Sequence, residues 1–203
     1  ANAQLKPEHL TGVEGGATLV AGPASIRVTA FWNALSDAIA NLTLSSTPSL
    51  ITRQRANAGL IHAGGAEVEG EWRAAPRVRL TSTLALVQST FAESQEPGLQ
   101  GNAVPQVPTV AASAGVRVEL PATSQLGLDV KYSGTQWEDD RNTLSLRYAT
   151  VVDAFLSHTL VGRATAFAAV ENLFDTLIEV GRTPQLNIGL PRTLRAGVRV
   201  ALP

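Results

Sequence analysis

Cysteine is absent from this chain of 203 residues, which removes disulfide frameworks, thiolate metal sites and cysteine nucleophiles together. Lysine is nearly absent: Lys6 and Lys131 are the only two, and arginine carries the rest of the positive charge. The formal net charge is −1, so the basic footprint of a nucleic-acid binder is missing and no nucleic-acid partner is expected. No apolar run reaches the ~18 residues of a membrane-crossing helix. No basic and then apolar leader opens the chain, so an exported protein would be represented here by a mature or internal piece.

Catalytic signatures are missing too. His9, His62 and His158 stand in separate segments without metal-ligand spacing. Glycines form no phosphate-cradling motif, and no serine sits in a nucleophile elbow. The expectation is a protein that is not an enzyme, with no catalytic, cofactor-binding or metal-binding residue to assign and no cofactor.

What the chain does have is alternation. From Gly115 to Leu120, Val116, Val118 and Leu120 alternate with Arg117 and Glu119; after Pro121–Gln125, Leu126, Leu128, Val130 and Tyr132 alternate with Gly127, Asp129, Lys131 and Ser133. Successive side chains of a strand point to opposite faces, so a period of two means one apolar face and one charged face. The pattern recurs. Ile26, Val28, Ala30 and Trp32 oppose Arg27, Thr29, Phe31 and Asn33, and Ala66, Val68, Gly70 and Trp72 oppose Glu67, Glu69, Glu71 and Arg73. Val78, Leu80, Leu84 and Leu86 oppose Arg77, Arg79, Thr81 and Thr83, and Leu194, Ala196, Val198, Val200 and Leu202 oppose Arg195, Gly197 and Arg199. About nine strands are predicted, at 13–21, 25–38, 57–74, 77–90, 109–120, 124–137, 146–160, 163–177 and 193–202.

Their connections alternate in length. Gly22-Pro23, Ala74–Pro76, Pro121–Gln125 and Val161-Gly162 are short, whereas 39–56, 91–108, 138–145 and 178–192 are long and polar. Short turns at one end and long loops at the other are the habit of an up-and-down outer-membrane sheet rather than a soluble sandwich. Trp32, Trp72, Tyr132 and Trp137 fall near strand ends, as an interfacial girdle would, although aromatics make up only 5% of the chain.

Charge gives the second argument. Arg27, Glu67, Glu69, Glu71, Arg73, Arg79, Arg117, Glu119, Asp129, Lys131, Asp153, Arg195 and Arg199 share one side of one sheet. In a dry core each would need a partner or cost several kcal/mol. In a wet lumen they cost little, and the apolar face then meets the lipid bilayer. Glu67, Glu69 and Glu71 accordingly read as a lumen charge ladder with Arg73 and Arg79, rather than as an acid–base pair. Asp139 and Asp140 read as an exposed loop tip rather than a cation site.

The motifs then point to a family. Val170-Glu171-Asn172-Leu173-Phe174-Asp175, Glu179–Pro184 and Gly189-Leu190-Pro191-Arg192 resemble the end of TonB-dependent outer-membrane receptors. Leu5-Lys6-Pro7-Glu8 with Glu14-Gly15-Gly16, Gly65–Glu69, Val104–Pro108 and Tyr148–Asp153 are similar to earlier segments of the same barrel, in the same order. Ile178 departs from the family's aromatic at that place, and the closing Val200-Ala201-Leu202-Pro203 departs from its terminal aromatic. In Asn-Leu-Phe-Asp, Asn172 and Asp175 are expected to serve turn chemistry and strand termination.

The resemblance implies an all-β fold: an up-and-down antiparallel transmembrane barrel, of which this chain would supply about nine of 22 strands. Residues 1–203 would be the C-terminal portion of the barrel, with the plug domain absent. Strand parity agrees, since the first and last of nine antiparallel strands run the same way and cannot pair antiparallel to close. The implied partners are the lipid bilayer, the receptor's own plug domain and remaining strands, TonB through the missing N-terminal part, and a small-molecule ligand. The implied localisation is the bacterial outer membrane, and the implied role is TonB-dependent uptake of a nutrient such as a siderophore, cobalamin or glycan. The alternatives are a small porin-like or structural barrel without energy coupling and a soluble β-rich binding module.

Overall fold

The computed structural model describes residues 2–47, 50–160 and 162–201, and it contains no helix among them. In chain order the strands are β1 His9–Ala21, β2 Ala24–Ser36, β3 Ile39–Ser46, β4 Ile51–Asn57, β5 Leu60–Ala75, β6 Val78–Glu93, β7 Val110–Leu120 and β8 Ser124–Ser133. They continue with β9 Gln136–Trp137, β10 Ser145–Leu146, β11 Ala149–Thr159, β12 Ala164–Glu171, β13 Glu179–Gly181, β14 Asn187–Ile188 and β15 Thr193–Val200.

Nine of these form one antiparallel meander in the order β1-β2-β5-β6-β7-β8-β11-β12-β15, which are the nine strands predicted from alternation. The predicted sixth, seventh and eighth strands are longer than the β8, β11 and β12 observed. β12 stops at Glu171 because Asn172 takes a positive φ of 52°, which ends the extended backbone. Leu202 and Pro203, placed in the last predicted strand, lie outside the described residues.

Register carries the two faces from strand to strand. On the apolar face Trp72 pairs with Leu80, Leu80 with Val116, Val116 with Leu128, and Leu128 with Ala154; Ala154 then pairs with Val170 and Val170 with Leu194. This row crosses seven strands without a charge. On the same face of the sheet Leu19, Ile26, Val28, Leu84, Leu86, Leu126, Leu128, Leu156, Leu194 and Val198 all remain exposed. An exposed apolar face of this extent is the mark of a surface that meets lipid.

Aromatics bound the row. Trp32 pairs with Gly64, eight residues before Trp72 on β5, a span of about 26 Å along a strand and about 20 Å in height at the usual tilt. That is close to the ~25 Å apolar band of an outer-membrane barrel. Tyr132, at the far end of β8, stacks at 6.2 Å on Tyr148.

The turns at one end are tight. Ala21 pairs with Ala24 across Gly22-Pro23, where Gly22 takes φ +57° at no steric cost. Pro121–Thr123 join β7 to β8, and the turn after β5 is Pro76-Arg77. At the other end the expectation of plain polar loops needs correction. Three of the four long connections carry hairpins of their own, β3–β4, β9–β10 and β13–β14.

The largest buried cluster lies at this end, between the loops and the loop-side ends of β5 and β6, and not along the length of the sheet. Leu42, Ala58, Phe91 and Leu99 form a buried cluster, with Ala40, Ala56, Ile61 and Val104 against it. Ile61 pairs with Phe91, and both sit an even number of residues from a charged-face position, Ile61 from Glu67 and Phe91 from Thr83. The β3–β4 hairpin is therefore folded over the lumen side of the wall. A one-layer sheet cannot bury both faces, so the loops supply the apolar packing that the wall lacks.

Candidate functional site

The charged face is organised by register. Arg27 pairs directly with Glu69, with nitrogen and oxygen 3.6 Å apart. Four other ion pairs are diagonal, two residues off register: Arg79 with Glu71 (3.0 Å), Arg117 with Asp129 (2.7 Å), Lys131 with Asp153 (2.7 Å), and Arg195 with Glu171. The reason is visible in the pairing. Arg79 lies directly opposite Arg117, and Asp129 directly opposite Asp153. Like charges facing each other are unfavourable, so these four side chains lean to opposite charges on the diagonal, whereas Arg195 and Glu171 face the uncharged Ala169 and Thr193 and have only each other.

Arg117 makes the tightest of these contacts, donating from Nη1 and Nη2 to the two carboxylate oxygens of Asp129 at 3.0 and 2.7 Å. Gly127 makes this possible: a Cβ there would meet the Arg117 side chain at 3.0 Å. Two of the three glutamates of the expected ladder are thus paired, Glu69 to Arg27 and Glu71 to Arg79. Glu67, Arg73, Glu119 and Arg199 have no ion-pair partner among the described residues. Glu171, which alternation did not single out, is the partner of Arg195.

Above the ladder the sequence motifs meet. Asp153, from Tyr148–Asp153, accepts the Asn172 main-chain N–H at 2.9 Å on Oδ1 and the Lys131 ammonium at 2.7 Å on Oδ2. The buried Asn172 side chain donates to the carbonyls of Thr176 (2.9 Å) and Leu190 (3.3 Å) and accepts the Thr176 N–H at 2.8 Å. Asp175 accepts the Arg192 N–H at 2.8 Å. Asn-Leu-Phe-Asp and Gly-Leu-Pro-Arg are thereby tied together, so the strand-terminating role expected of Asn172 and Asp175 has a concrete geometry.

At the mouth the loops are locked to one another. Asp139 and Asp140, expected at an exposed tip, are only 4% and 5% exposed. The reason is hydrogen bonding. Asp139 accepts from the Thr143 N–H, the Leu144 N–H and the Thr143 hydroxyl at 2.7–2.9 Å. Asp140 accepts from the Thr43 N–H and hydroxyl at 2.9 and 2.6 Å, latching the β9–β10 loop to the β3–β4 hairpin. Asn142 exchanges hydrogen bonds with the Ala103 backbone at 2.7 and 3.0 Å. Glu138 accepts the Arg182 N–H at 2.6 Å and the Thr183 hydroxyl, bringing in the β13–β14 loop.

Glu179 closes the set. It accepts the Arg147 N–H at 3.0 Å and Nε at 2.7 Å, and these bonds hold its carboxyl below the usual glutamate range against the opposing effect of burial. Apart from the local turn that Asp139 makes, these latches are not legible from spacing, because each joins segments more than 30 residues apart in the chain.

Arg53 differs from the other loop cations. Its Nη1 donates to the Thr183 hydroxyl at 3.1 Å and lies 3.6 Å from Glu138. Its Nε and Nη2 are shut off from solvent and have no hydrogen-bond partner among the described residues. Burying such donors unmatched costs about 1–3 kcal/mol each. Other atoms of Arg53 line a cavity of ≈260 Å³ together with Ile39, Asn41, Ile61, Val104, Gln106 and Glu138 among others.

The histidines stay apart. His62 stacks on Trp32 at 5.1 Å on the apolar face, and His158 Nδ1 lies 2.8 Å from the Ser124 hydroxyl at the turn end. Among the described residues no group of three or more His, Asp or Glu stands in metal-holding geometry.

Comparison with known proteins agrees with this architecture. A profile described as "TonB dependent receptor-like, beta-barrel" matches residues 1–173. No curated protein sequence matches the chain. Among solved structures, the ferric yersiniabactin uptake receptor FyuA from Yersinia pestis superposes with a TM-score of 0.77 at 22% identity, covering 95% of this chain and 30% of that one. BauA, the ferric preacinetobactin receptor from Acinetobacter baumannii, gives 0.74 at 19% identity over 93% and 29%. The FrpB iron transporter from Neisseria meningitidis gives 0.71 at 19% identity over 96% and 31%. The chain thus spans about 30% of the length of the solved structures it matches. One continuous apolar row, one ladder of lumen charges and the matched profile lead to one conclusion: this chain belongs to the TonB-dependent receptor β-barrel family.

Proposed function

We propose that residues 1–203 are the C-terminal part of the barrel of an outer-membrane receptor, and that the intact receptor imports a scarce nutrient using energy relayed by TonB. The observation that carries this reading is the pairing of an uncharged lipid-type face with a lumen face whose charges are only partly paired. Glu67, Arg73, Glu119 and Arg199 point inward without ion-pair partners among the described residues, as expected of a wall completed by a plug. The loop lock supports a mouth that selects its solute, because hydrogen-bonded loops hold the groups that face the solute in fixed positions. The solute class is a chelate, cobalamin or glycan of the kind such receptors handle.

The test is made on the intact receptor in its own outer membrane. Uptake of candidate nutrients is compared in the parent, in a strain lacking TonB and in a strain lacking the receptor. The expected result is uptake that needs both. Receptor-dependent permeation that persists without TonB would replace this reading with the porin-like alternative.

A further inference from the structure

We propose that the turn end of the lumen face is a seat for an acidic segment of the part of the receptor that stands inside the barrel. The inference rests on the reading of this chain as one portion of a barrel wall. It deepens that reading by naming the chemistry of the partner and the place where it docks.

Four arginines meet at one cavity. Arg73 at the end of β5, Arg77 in the turn, Arg79 on β6 and Arg117 on β7 line a space of ≈420 Å³, and Glu119 is the one carboxylate among the described residues that line it. These side chains are open to solvent. Arg73 and Arg77 are exposed, and Arg79 and Arg117 keep 48% and 38% of their side-chain surface. Arg79 lies directly opposite Arg117, and Glu119 directly opposite Gln125, on the side of the sheet away from the apolar row.

Pairing leaves the cavity positive. Arg79 leans to Glu71 and Arg117 to Asp129. Arg73 and Arg77 have no ion-pair partner among the described residues. Even with Glu71 and Asp129 counted beside Glu119, four cations meet three carboxylates. Guanidiniums gathered in one space repel each other, and a carboxylate brought among them receives two parallel N–H bonds from a fork.

Position and permanence choose the occupant. The cavity lies on the lumen side, where lipid does not reach. A passing solute would leave the arginines without a counter-charge between visits, whereas a resident segment neutralises them whenever the barrel is complete. This chain spans about 30% of the length of the solved structures it matches, so a receptor of that length has ample chain to place inside the wall. At ≈420 Å³ the cavity is many times the ~30 Å³ of one water, room for side chains rather than for a lone ion. The fitting partner is a stretch of the inserted domain that presents at least one Asp or Glu toward the turn end.

The test is zero-length cross-linking in the intact receptor. Arg77→Lys places a primary amine in the cavity, and a water-soluble carbodiimide joins an amine to a carboxylate only where the two touch. Residues 1–203 carry only two lysines of their own, Lys6 and Lys131, which keeps the background low. Outer membranes from a strain lacking TonB are treated, and the linked peptides are read by mass spectrometry. A link from position 77 to an Asp or Glu of the same polypeptide outside residues 1–203 is expected. Links only within residues 1–203, links to another molecule, or no link overturn the proposal.

Charge reversal is the second arm. Arg73→Glu with Arg77→Glu is expected to speed hydrogen exchange of the linked segment at least tenfold, and Arg73→Lys with Arg77→Lys to keep the parent rate. Unchanged exchange in a reversed receptor that retains the heat-modifiable mobility of a folded barrel overturns the proposal; where the reversed receptor fails to fold, the cross-link decides. Neither readout depends on energy coupling. The expected link in a receptor whose uptake persists without TonB would refute the transport reading alone, and TonB-dependent uptake without the link would refute the seat alone.

Discussion

Asp153 and Asn172 are joined across the top of the sheet, where the Asp153 Oδ1 accepts the Asn172 main-chain N–H at 2.9 Å. The bond links the end of one strand's charged face to the residue at which the next strand stops. Because Asp153 also holds Lys131 and Asn172 also holds Leu190, one contact couples the lumen ladder to the turn that leads into β15.

Asn172→Ala removes three side-chain hydrogen bonds and leaves a residue with Cβ at a φ of 52°. The expected loss is about 2–4 kcal/mol of stability. Asn172→Gly relieves only the backbone part and is expected to recover about 1 kcal/mol of it. Thermal unfolding of the intact receptor in detergent checks both; equal stability of the two variants would deny the backbone contribution.

The two faces make opposite demands on charge. Leu128→Arg, on the apolar row, is expected to cost about 2–4 kcal/mol, the usual penalty for a charge in the middle of the lipid face. Arg117→Ala, on the lumen face, is expected to change stability by no more than about 1 kcal/mol, because its half-exposed pair with Asp129 is screened by water. Comparable losses for the two would mean that the faces are misassigned.

Phe91 is 0% exposed at the centre of the loop cluster. Phe91→Ala is expected to cost about 3–5 kcal/mol. The loss should fall on the mouth, opening residues 39–57 and 94–104 to protease and hydrogen exchange while the nine-stranded wall keeps its protection. Uniform loss of protection over the wall would show that loops and wall unfold as one unit.

Glu179 titrates below the ordinary glutamate value of 4.5 because Arg147 bonds its charged form. A carboxyl depressed in the folded state adds stability that is fully present above its unfolded pKa and is lost as pH falls through its folded one. Protection of the β13–β14 loop should therefore hold at neutral pH and weaken below about pH 4.5, and Glu179→Gln should flatten that dependence. Hydrogen exchange across this pH range measures it, and an unaltered profile in Glu179→Gln would remove Glu179 from the lock.

Much of the wall could be read from the chain alone. The Gly115–Ser133 alternation, and its repeats at Arg27, Glu69, Arg79 and Arg195, told which side chains share a face, because the period of a strand is local and survives any placement of its neighbours. Alternation likewise gave the number of main strands and which turns are short. It was weaker where alanine and valine fill both faces, in β11 and β12, and there Glu171 was missed as the partner of Arg195.

What the chain could not disclose are relations set by register and by distance along it. That Arg117 chooses Asp129 over a residue directly opposite depends on how three strands align, and no single strand records that alignment. The burial of Asp140 depends on Thr43, 97 residues away, and the half-used guanidinium of Arg53 on Thr183, 130 residues away. The sequence by itself determined a two-faced wall of nine strands, because face is a local property. Only the tertiary structure decided where the core lies, which charges pair and where a donor is left waiting, because those depend on loops that meet after the strands have paired.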